Sequence, residues 1–123
     1  MSRIKSRNTT PEIVVRQIVH RLGYRFRLKP QKLPGSPDIV LTTRRTAVFV
    51  NGCFWHRHRN CRFVSMPKSR KAFWRKKFAA NIERDARALR QLRKLGWRAL
   101  VIWECQITDS VRLRRRIRSF LQR

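Results

Sequence analysis

The strongest constraint on how this chain can fold is its positive charge. Its 123 residues include 32 Lys and Arg but only six Asp and Glu, which gives a formal net charge of +26 at pH 7. Like charges repel in a compact fold, and a bound polyanion relieves the repulsion while counterions leave its phosphates. The charge therefore predicts a nucleic-acid-binding protein. It does not distinguish an enzyme from an RNA-binding or DNA-packing protein.

Length and composition define the broad class of protein. Hydrophobic residues make up 41% of the chain and aromatic residues 10%, which argues for a folded core and against disorder. The length predicts one domain over residues 1–123 and a monomer. No apolar run approaches the roughly 18 residues of a membrane span, and residues 1–10 lack the apolar segment of a secretory signal. We expect a soluble, intracellular protein with no membrane contact.

Hydrophobic periodicity predicts the element order α-β-β-β-loop-α-β-α, a mixed sheet with helices packed against it. Helices are expected at 10–22, at 69–95 (an interruption near Asn81 stays open) and around 113–121. Strands are expected at 24–28, 37–42, 46–50 and 97–103. Strand 97–103 is nearly all apolar, which favours a place at the centre of the sheet. For Phe73 and Trp97 we expect ordinary core packing.

Cysteine and histidine are concentrated in the long loop of residues 51–68. Cys53, His58 and Cys61 fall within nine residues, and Cys105 follows the last strand. Three thiolates and one imidazole are the ligands of a closed, tetrahedral structural zinc site. A disulfide is a poor alternative, because three cysteines leave one unpaired and the expected compartment is reducing. Spacing alone leaves His56 open as a replacement for His58.

The scarcity of acids makes each carboxylate informative. Glu83 and Asp85 lie among arginines at helical spacing and are expected to make surface ion pairs. Asp109 precedes a helix and is expected to cap it. Glu104 adjoins Cys105, where orienting a neighbour would be a sufficient role.

Asp38 opens a strand directly after a proline and is a candidate Mg²⁺ ligand. The alternative is a turn aspartate that caps its own backbone, which composition alone favours. The neighbouring strand carries Val50 and Asn51 but no second acid, so a main-chain carbonyl would have to complete the site. Glu12 is either a first-turn partner of the helix dipole or an acid directed into the site.

His56 and the aromatic residues of the loop complete the candidate site. His56 could take a proton from water, or it could contact a phosphate. Phe54 and Trp55 adjoin the cysteine cluster, and Trp74 lies on the next helix. Such side chains can enter a base step as an apolar wedge, or they can simply pack in the core.

Five strings of residues form a pattern that is specific in combination: TTPEIVVRQIVHRLGYRFR, GSPDIV, NGCFWHRHRNC, FWRKKFAANIERD and GWRALVIWEC. With this pattern the chain resembles the very-short-patch-repair (Vsr) mismatch endonuclease family from about Met1 to Cys105. The resemblance implies an α/β fold similar to type II restriction enzymes. It also implies a Mg²⁺-dependent nick 5′ of the thymine in a G·T mismatch, the product of 5-methylcytosine deamination, and a structural Zn²⁺.

The resemblance assigns roles by motif position. Asp38 and the carbonyl of Val50 match the Mg²⁺ ligands, His56 the catalytic histidine and Glu12 the supporting acid. The implied zinc ligands are Cys53, His58, Cys61 and Cys105. The implied intercalating residues are Phe54, Trp55 and Trp74.

Three departures from the family pattern stand out. Asn51 replaces a second histidine, and an amide can orient water or phosphate but cannot relay a proton. The chain starts late, so a DNA-gripping N-terminal arm is either lost or encoded upstream. The spacing from His58 to Cys61 is one residue longer than in some members.

The expected partner is double-stranded DNA with a G·T mismatch in the bacterial nucleoid. Mismatch-repair proteins and a cytosine DNA methyltransferase are candidate protein partners. Two alternatives remain, namely a zinc-stabilised DNA-binding protein without activity and a nickase with a different target.

Overall fold

The computed structural model describes residues 10–28, 33–62 and 64–123. Four helices and three strands are assigned in this part of the chain. In chain order they are α1 (Thr10–Arg21), β1 (Ile39–Leu41), β2 (Thr46–Asn51), α2 (Cys53–His56), α3 (Lys71–Lys94), β3 (Arg98–Trp103) and α4 (Ser110–Gln122). Short 3₁₀ helices at Thr42–Arg44 and Glu104–Thr108 follow β1 and β3.

The three strands form one mixed sheet in the order β1-β2-β3. β1 runs antiparallel to β2, with Ile39 opposite Val48, and β2 runs parallel to β3, with Val48 opposite Leu100. The expected mixed sheet flanked by helices is confirmed. β2 is the central strand, however, and β3 lies at an edge among the described residues. The expectation that 97–103 lies at the centre is wrong, because helices rather than a further strand cover its apolar residues.

One face of the sheet is covered by α1 and α4. Their buried residues recur at i and i+4, as expected for one stripe of a helix that faces a sheet. This core joins the helices to all three strands and consists of Val15, Val19, Ile39, Leu41, Val48, Leu100, Ile102, Leu113, Ile117 and Leu121.

The opposite face is covered by α3. Leu92 is fully buried against Ala47 and Phe49, and Trp97 packs against the same cluster as expected. The turn before β1 also contacts α3. Its residue Gly35 has a φ of 80°, and a Cβ there would lie 2.8 Å from the Cβ of Ala88. Only glycine allows this close approach without displacing the helix.

The segment 24–28 is not a strand. Its contact with the sheet is an isolated bridge between Arg27 and Val40. Tyr24 and Phe26 still pack against the core beneath α1 and α4. The alternation of apolar residues therefore predicted the buried face correctly, but it did not predict the absence of a continuous ladder.

Helix α3 is unbroken from Lys71 to Lys94, so no interruption occurs at Asn81. Phe73, which was expected in the core, is 46% exposed near the start of this helix. None of the helices in the described ranges combines the length and the hydrophobicity that a membrane span requires.

The C-terminal end of α4 is held by two arginines, one from the 3₁₀ helix after β1 and one from β3. Arg44 donates to the carbonyl of Leu121 at 2.5 Å, and Arg98 donates to that of Phe120 at 2.6 Å. Cations are favourable at a helix C-terminus, where the last carbonyls lack intrahelical donors. These contacts fix α4 along the side of β3.

Candidate active site and metal centre

The candidate site residues gather at one end of the sheet. β1 begins there just after Asp38, and β2 and β3 both end there, at Asn51 and Trp103. Asn51 lies opposite Trp103 in the parallel pairing. The helical turn α2 follows β2 directly, so its side chains lie beside this same end of the sheet.

Asp38 is held by the backbone of β2. Its Oδ2 accepts a hydrogen bond from the N–H of Val50 at 2.7 Å, and its own N–H donates to the carbonyl of Val48 at 3.0 Å. The acceptor contact reaches across to the next strand and is not a cap within its own turn. The carboxylate is thereby fixed beside the end of β2.

Glu12 occupies the first turn of α1 and is 3% exposed. It shares the inward stripe of the helix with Val15 and Val19. Arg16 lies within ion-pair distance, with 3.5 Å from its Nη2 to Oε1 of Glu12. A first-turn acid at the surface would interact with the helix dipole alone. The burial of Glu12 therefore favours an acid directed towards the sheet.

Three cysteines and one histidine converge beside the end of β3. The ligand atoms of Cys53, His58, Cys61 and Cys105 all lie within 4.8 Å of one another. Nδ1 of His58 is 3.7 Å from Sγ of Cys53 and 3.4 Å from Sγ of Cys105. Tetrahedral zinc, with Zn–S near 2.3 Å and Zn–N near 2.0 Å, places sulfur and nitrogen ligands about 3.5 Å apart. The donor set and its spacing fit Zn²⁺.

The thiols of this cluster are crowded. Desolvation by burial, as the largest cause, raises the pKa of Cys53 to about 12, and it also raises the pKa of Cys105. Zinc binds the thiolate form, so a bound dication would replace the protons that crowding otherwise retains.

Backbone geometry selects His58 over His56 for this cluster. Arg57 caps the C-terminus of α2 with a left-handed φ of 54°, and both Arg57 and His58 donate their N–H groups to the carbonyl of Cys53. This is the hydrogen-bond pattern of a helix C-cap that reverses the chain. His58 consequently returns to Cys53, where its ring stacks on Trp103 with centroids 4.2 Å apart.

His56 instead contacts Asp85 of α3. Its Nδ1 lies 2.6 Å from Oδ2 of Asp85, and both side chains are about one third exposed, at 32% and 37%. Asp85 is thus paired, as expected, but with the imidazole of His56 on α2 and not with an arginine of its own helix. The helix presents this residue to α2, whereas Glu83 faces solvent and pairs with Arg87 as expected, at 3.7 Å.

Asp85 could have been recognised from helical spacing. Phe78, Asn81, Asp85, Ala88 and Leu92 recur at intervals of three and four residues and form one stripe of α3. Its apolar members are buried, and its polar members bond to α2, since Nδ2 of Asn81 donates to the carbonyl of Trp55 at 3.2 Å. A polar residue within an otherwise apolar stripe was the signal.

The aromatic residues form a connected, partly exposed cluster beside α2. Phe54 packs edge-on against Trp55 and against the buried Phe78, with centroids 5.1 and 5.3 Å apart. Trp74 lies 6.0 Å from Trp55 and 6.2 Å from Phe54. The three candidate intercalating residues are thus neighbours, and each retains some solvent exposure.

Two further acids stabilise backbone near the site. Glu104 accepts from the N–H of Cys53 at 3.2 Å and so orients the start of α2. Asp109 accepts from the N–H of Arg112 at 3.1 Å and caps α4 as expected.

The chain is similar in sequence to a family of DNA endonucleases. The family model for DNA mismatch endonuclease Vsr matches residues 1–62. The chain is 47% identical to the type II nicking enzyme V.XorIIP of Xanthomonas oryzae pv. oryzae. The identity is measured over 121 aligned residues, which are 98% of this chain and 88% of the relative. It is 38% identical over 117 residues to the type II nicking enzyme V.NmeAIP of Neisseria meningitidis, covering 95% of this chain and 83% of the relative.

A third relative is named as a mismatch endonuclease. The chain is 38% identical over 113 residues to the DNA mismatch endonuclease Vsr of Escherichia coli, covering 92% of this chain and 72% of the relative. All three relatives have enzyme names, which does not support a DNA-binding protein without activity. The chain belongs to the DNA mismatch endonuclease Vsr family and is a nicking endonuclease that acts on the phosphodiester bonds of DNA.

Proposed function

We propose that this protein nicks one strand of duplex DNA 5′ of the thymine in a G·T mismatch, by Mg²⁺-dependent hydrolysis of the phosphodiester bond. The observation that carries the proposal is that the end of β2 holds the Asp38 carboxylate, while the helical turn that follows it carries the His56–Asp85 pair. A fixed carboxylate and an oriented imidazole are the parts needed to hold a hard cation and to move a proton.

Asp38 and the carbonyl of Val50 are the proposed Mg²⁺ ligands. Within a strand, the N–H and C=O of one residue point to the same side. Because the N–H of Val50 donates to Asp38, its carbonyl faces the same side of β2. Both ligand atoms are oxygens, which Mg²⁺ prefers, and the bound ion would activate water and offset charge at the scissile phosphate.

His56 is the proposed proton acceptor. When its Nδ1–H donates to Asp85, Nε2 is the atom that can take a proton from the attacking water. The carboxylate of Asp85 fixes the tautomer and stabilises the imidazolium that forms. Asn51 would orient water or phosphate with its amide, and Glu12 would support the site from beneath the sheet.

Zn²⁺ bound by Cys53, His58, Cys61 and Cys105 would serve a structural role. These four residues provide a full tetrahedral set, which leaves no position for a substrate. The ion would fasten the turn after β2 to the end of β3, and thus fix the chain segment that carries His56.

Phe54, Trp55 and Trp74 are proposed to intercalate beside the mismatch. A mispaired step unstacks at lower cost than a paired one, so an apolar wedge favours mismatched DNA. The partly exposed cluster on α2 and α3 supports this role, since it adjoins the proposed catalytic residues.

A nickase with a different target is the second candidate. It is favoured by the names of V.XorIIP and V.NmeAIP, which describe type II nicking enzymes and mention no mismatch. Both candidates share the proposed chemistry and differ in the DNA that is recognised.

We further propose a single-domain monomer that acts in the bacterial nucleoid, with mismatch-repair proteins or a cytosine DNA methyltransferase as protein partners.

Asp38→Asn is expected to reduce the single-turnover nicking rate at least about 10²-fold, because the amide is a poor Mg²⁺ ligand. The amide oxygen can still accept from Val50, so the fold and the affinity for DNA should be retained. Nicking and binding of the same labelled duplex measure the two effects. Nicking at the wild-type rate would exclude Asp38 as the metal ligand.

Asp85→Asn is expected to lower kcat by about 10²-fold with little change in KM. The neutral amide neither stabilises the imidazolium form of His56 nor selects the tautomer in which Nε2 can accept a proton. Glu83→Gln is the matched control, since it removes one carboxylate two residues away on the exposed side of α3. Equal kinetic losses in the two variants would show that bulk charge, rather than the contact with His56, matters.

His58→Ala is expected to abolish zinc binding and to lower stability by about 3 kcal/mol or more, which is roughly 10 °C in Tm for a domain of this size. His56→Ala should keep one equivalent of zinc, because His56 contacts Asp85. Metal content by mass spectrometry and thermal unfolding provide the measurements. Loss of zinc in both variants, or in neither, would contradict the proposed ligand set.

Phe54→Ala is expected to reduce the ratio of G·T to G·C nicking about tenfold while general DNA binding changes little. Labelled G·T and G·C duplexes, incubated with and without Mg²⁺, provide the measurement. Ile82→Ala is the control, since it truncates a large apolar side chain of α3 that is 50% exposed. Equal nicking of both duplexes by the unmodified protein would favour the second candidate.

A further inference from the structure

A groove of about 450 Å³ follows the outer edge of β3 between α3 and α4. Its apolar lining includes Leu89 of α3, Val101 of β3 and Phe120 of α4. The proposed catalytic residues lie elsewhere, at the end of β3 marked by Trp103. The groove is therefore a separate surface feature.

The backbone of β3 presents hydrogen-bonding groups to this groove. The N–H of Arg98 donates to the carbonyl of Arg45, on the side of β2, at 2.8 Å. The N–H and C=O groups of alternate residues in a strand point to the same side. Those of Leu100 and Ile102 therefore also face β2, whereas those of Ala99 and Val101 face away from β2, into the groove. The N–H of Trp103, which shares their outward direction, donates to the side chain of Gln106 at 2.9 Å. Among the described residues, β3 pairs with a strand on one side only.

The rim of the groove is positively charged. Arg93 of α3 and Arg116 of α4 line it, together with Arg123 at the C-terminus. Arg116 donates to Gln106 at 3.2 Å, and partial desolvation of its guanidinium lowers its pKa. A carboxylate beside Arg116 would compensate this desolvation.

We propose that this groove binds an extended, acidic segment of a partner protein, which adds a strand to the edge of β3. Main-chain bonds to Ala99 and Val101 would supply affinity, and alternate side chains would meet the apolar floor and the arginines. A second copy of this chain is disfavoured, because it would bring its own arginines against these. A DNA duplex has no peptide groups with which to extend the sheet.

The test uses a fluorescein-labelled peptide of nine residues that alternates Val and Glu, titrated into the full chain and followed by anisotropy. Methylating the peptide's alternate backbone amides keeps charge and composition but removes the strand bonds, so affinity should fall about tenfold or more. Hydrogen exchange should also show protection at Ala99 and Val101 when the unmethylated peptide is added. Equal affinity of both peptides, or protection confined to other amides, would overturn the proposal.

Arg116→Glu should weaken peptide binding about tenfold, whereas Arg114→Glu, the same charge change elsewhere on α4, should alter it less than about twofold. Nicking of a short duplex should be unchanged in Arg116→Glu, so the outcome is independent of the proposed active site. Equal losses in both variants would indicate binding by net charge alone and overturn the proposal. Dimerisation with protection of the same amides in the absence of peptide would also overturn it, in favour of a second copy.

Discussion

The position of the short helix α2 relative to the sheet is the constraint on which the rest of the site depends. A single helical turn is not stable by itself, because nucleation costs more than one turn returns. Its first residue, Cys53, belongs to the four-residue cluster and donates its N–H to Glu104. The same turn carries Phe54, Trp55 and His56, so fastening its beginning to the end of β3 positions both the aromatic cluster and the imidazole.

The sheet-facing stripe of α3 provides the second attachment of α2. Asn81 and Asp85 are half-buried, so each loses part of its contact with water and is more stable with a hydrogen-bond partner than against apolar side chains alone. Each instead finds a partner on α2, at Trp55 and His56. The polar members of the stripe thus specify where α2 sits, whereas the apolar members anchor α3 to the sheet. One helix serves both the core and the site.

Regular spacing made most of the fold and part of the site predictable from sequence. The helices at 10–22 and 69–95 and the hairpin of β1 and β2 follow from periodicity, and the convergence of the cysteines follows from their ligand chemistry. The choice between His56 and His58 did not follow, because it depends on the left-handed turn at Arg57. A non-glycine residue in that conformation leaves no signature in composition or spacing.

Asp85 shows why scarce acids must be interpreted together with the helix face on which they lie. In a chain of net charge +26 that binds DNA, a carboxylate on the nucleic-acid surface repels phosphate, so acids are expected where a directed bond compensates that cost. Asp38, Asp85 and Glu104 each bond to a group near the end of the sheet, to Val50, His56 and Cys53. Glu83, on the exposed side of α3, pairs with Arg87 at the surface. Asp85 and Glu83 differ in role because they lie on different sides of α3, although both have arginines as neighbours in the sequence. In a chain with so few acids, the helix face on which a carboxylate lies therefore indicates whether it belongs to the site.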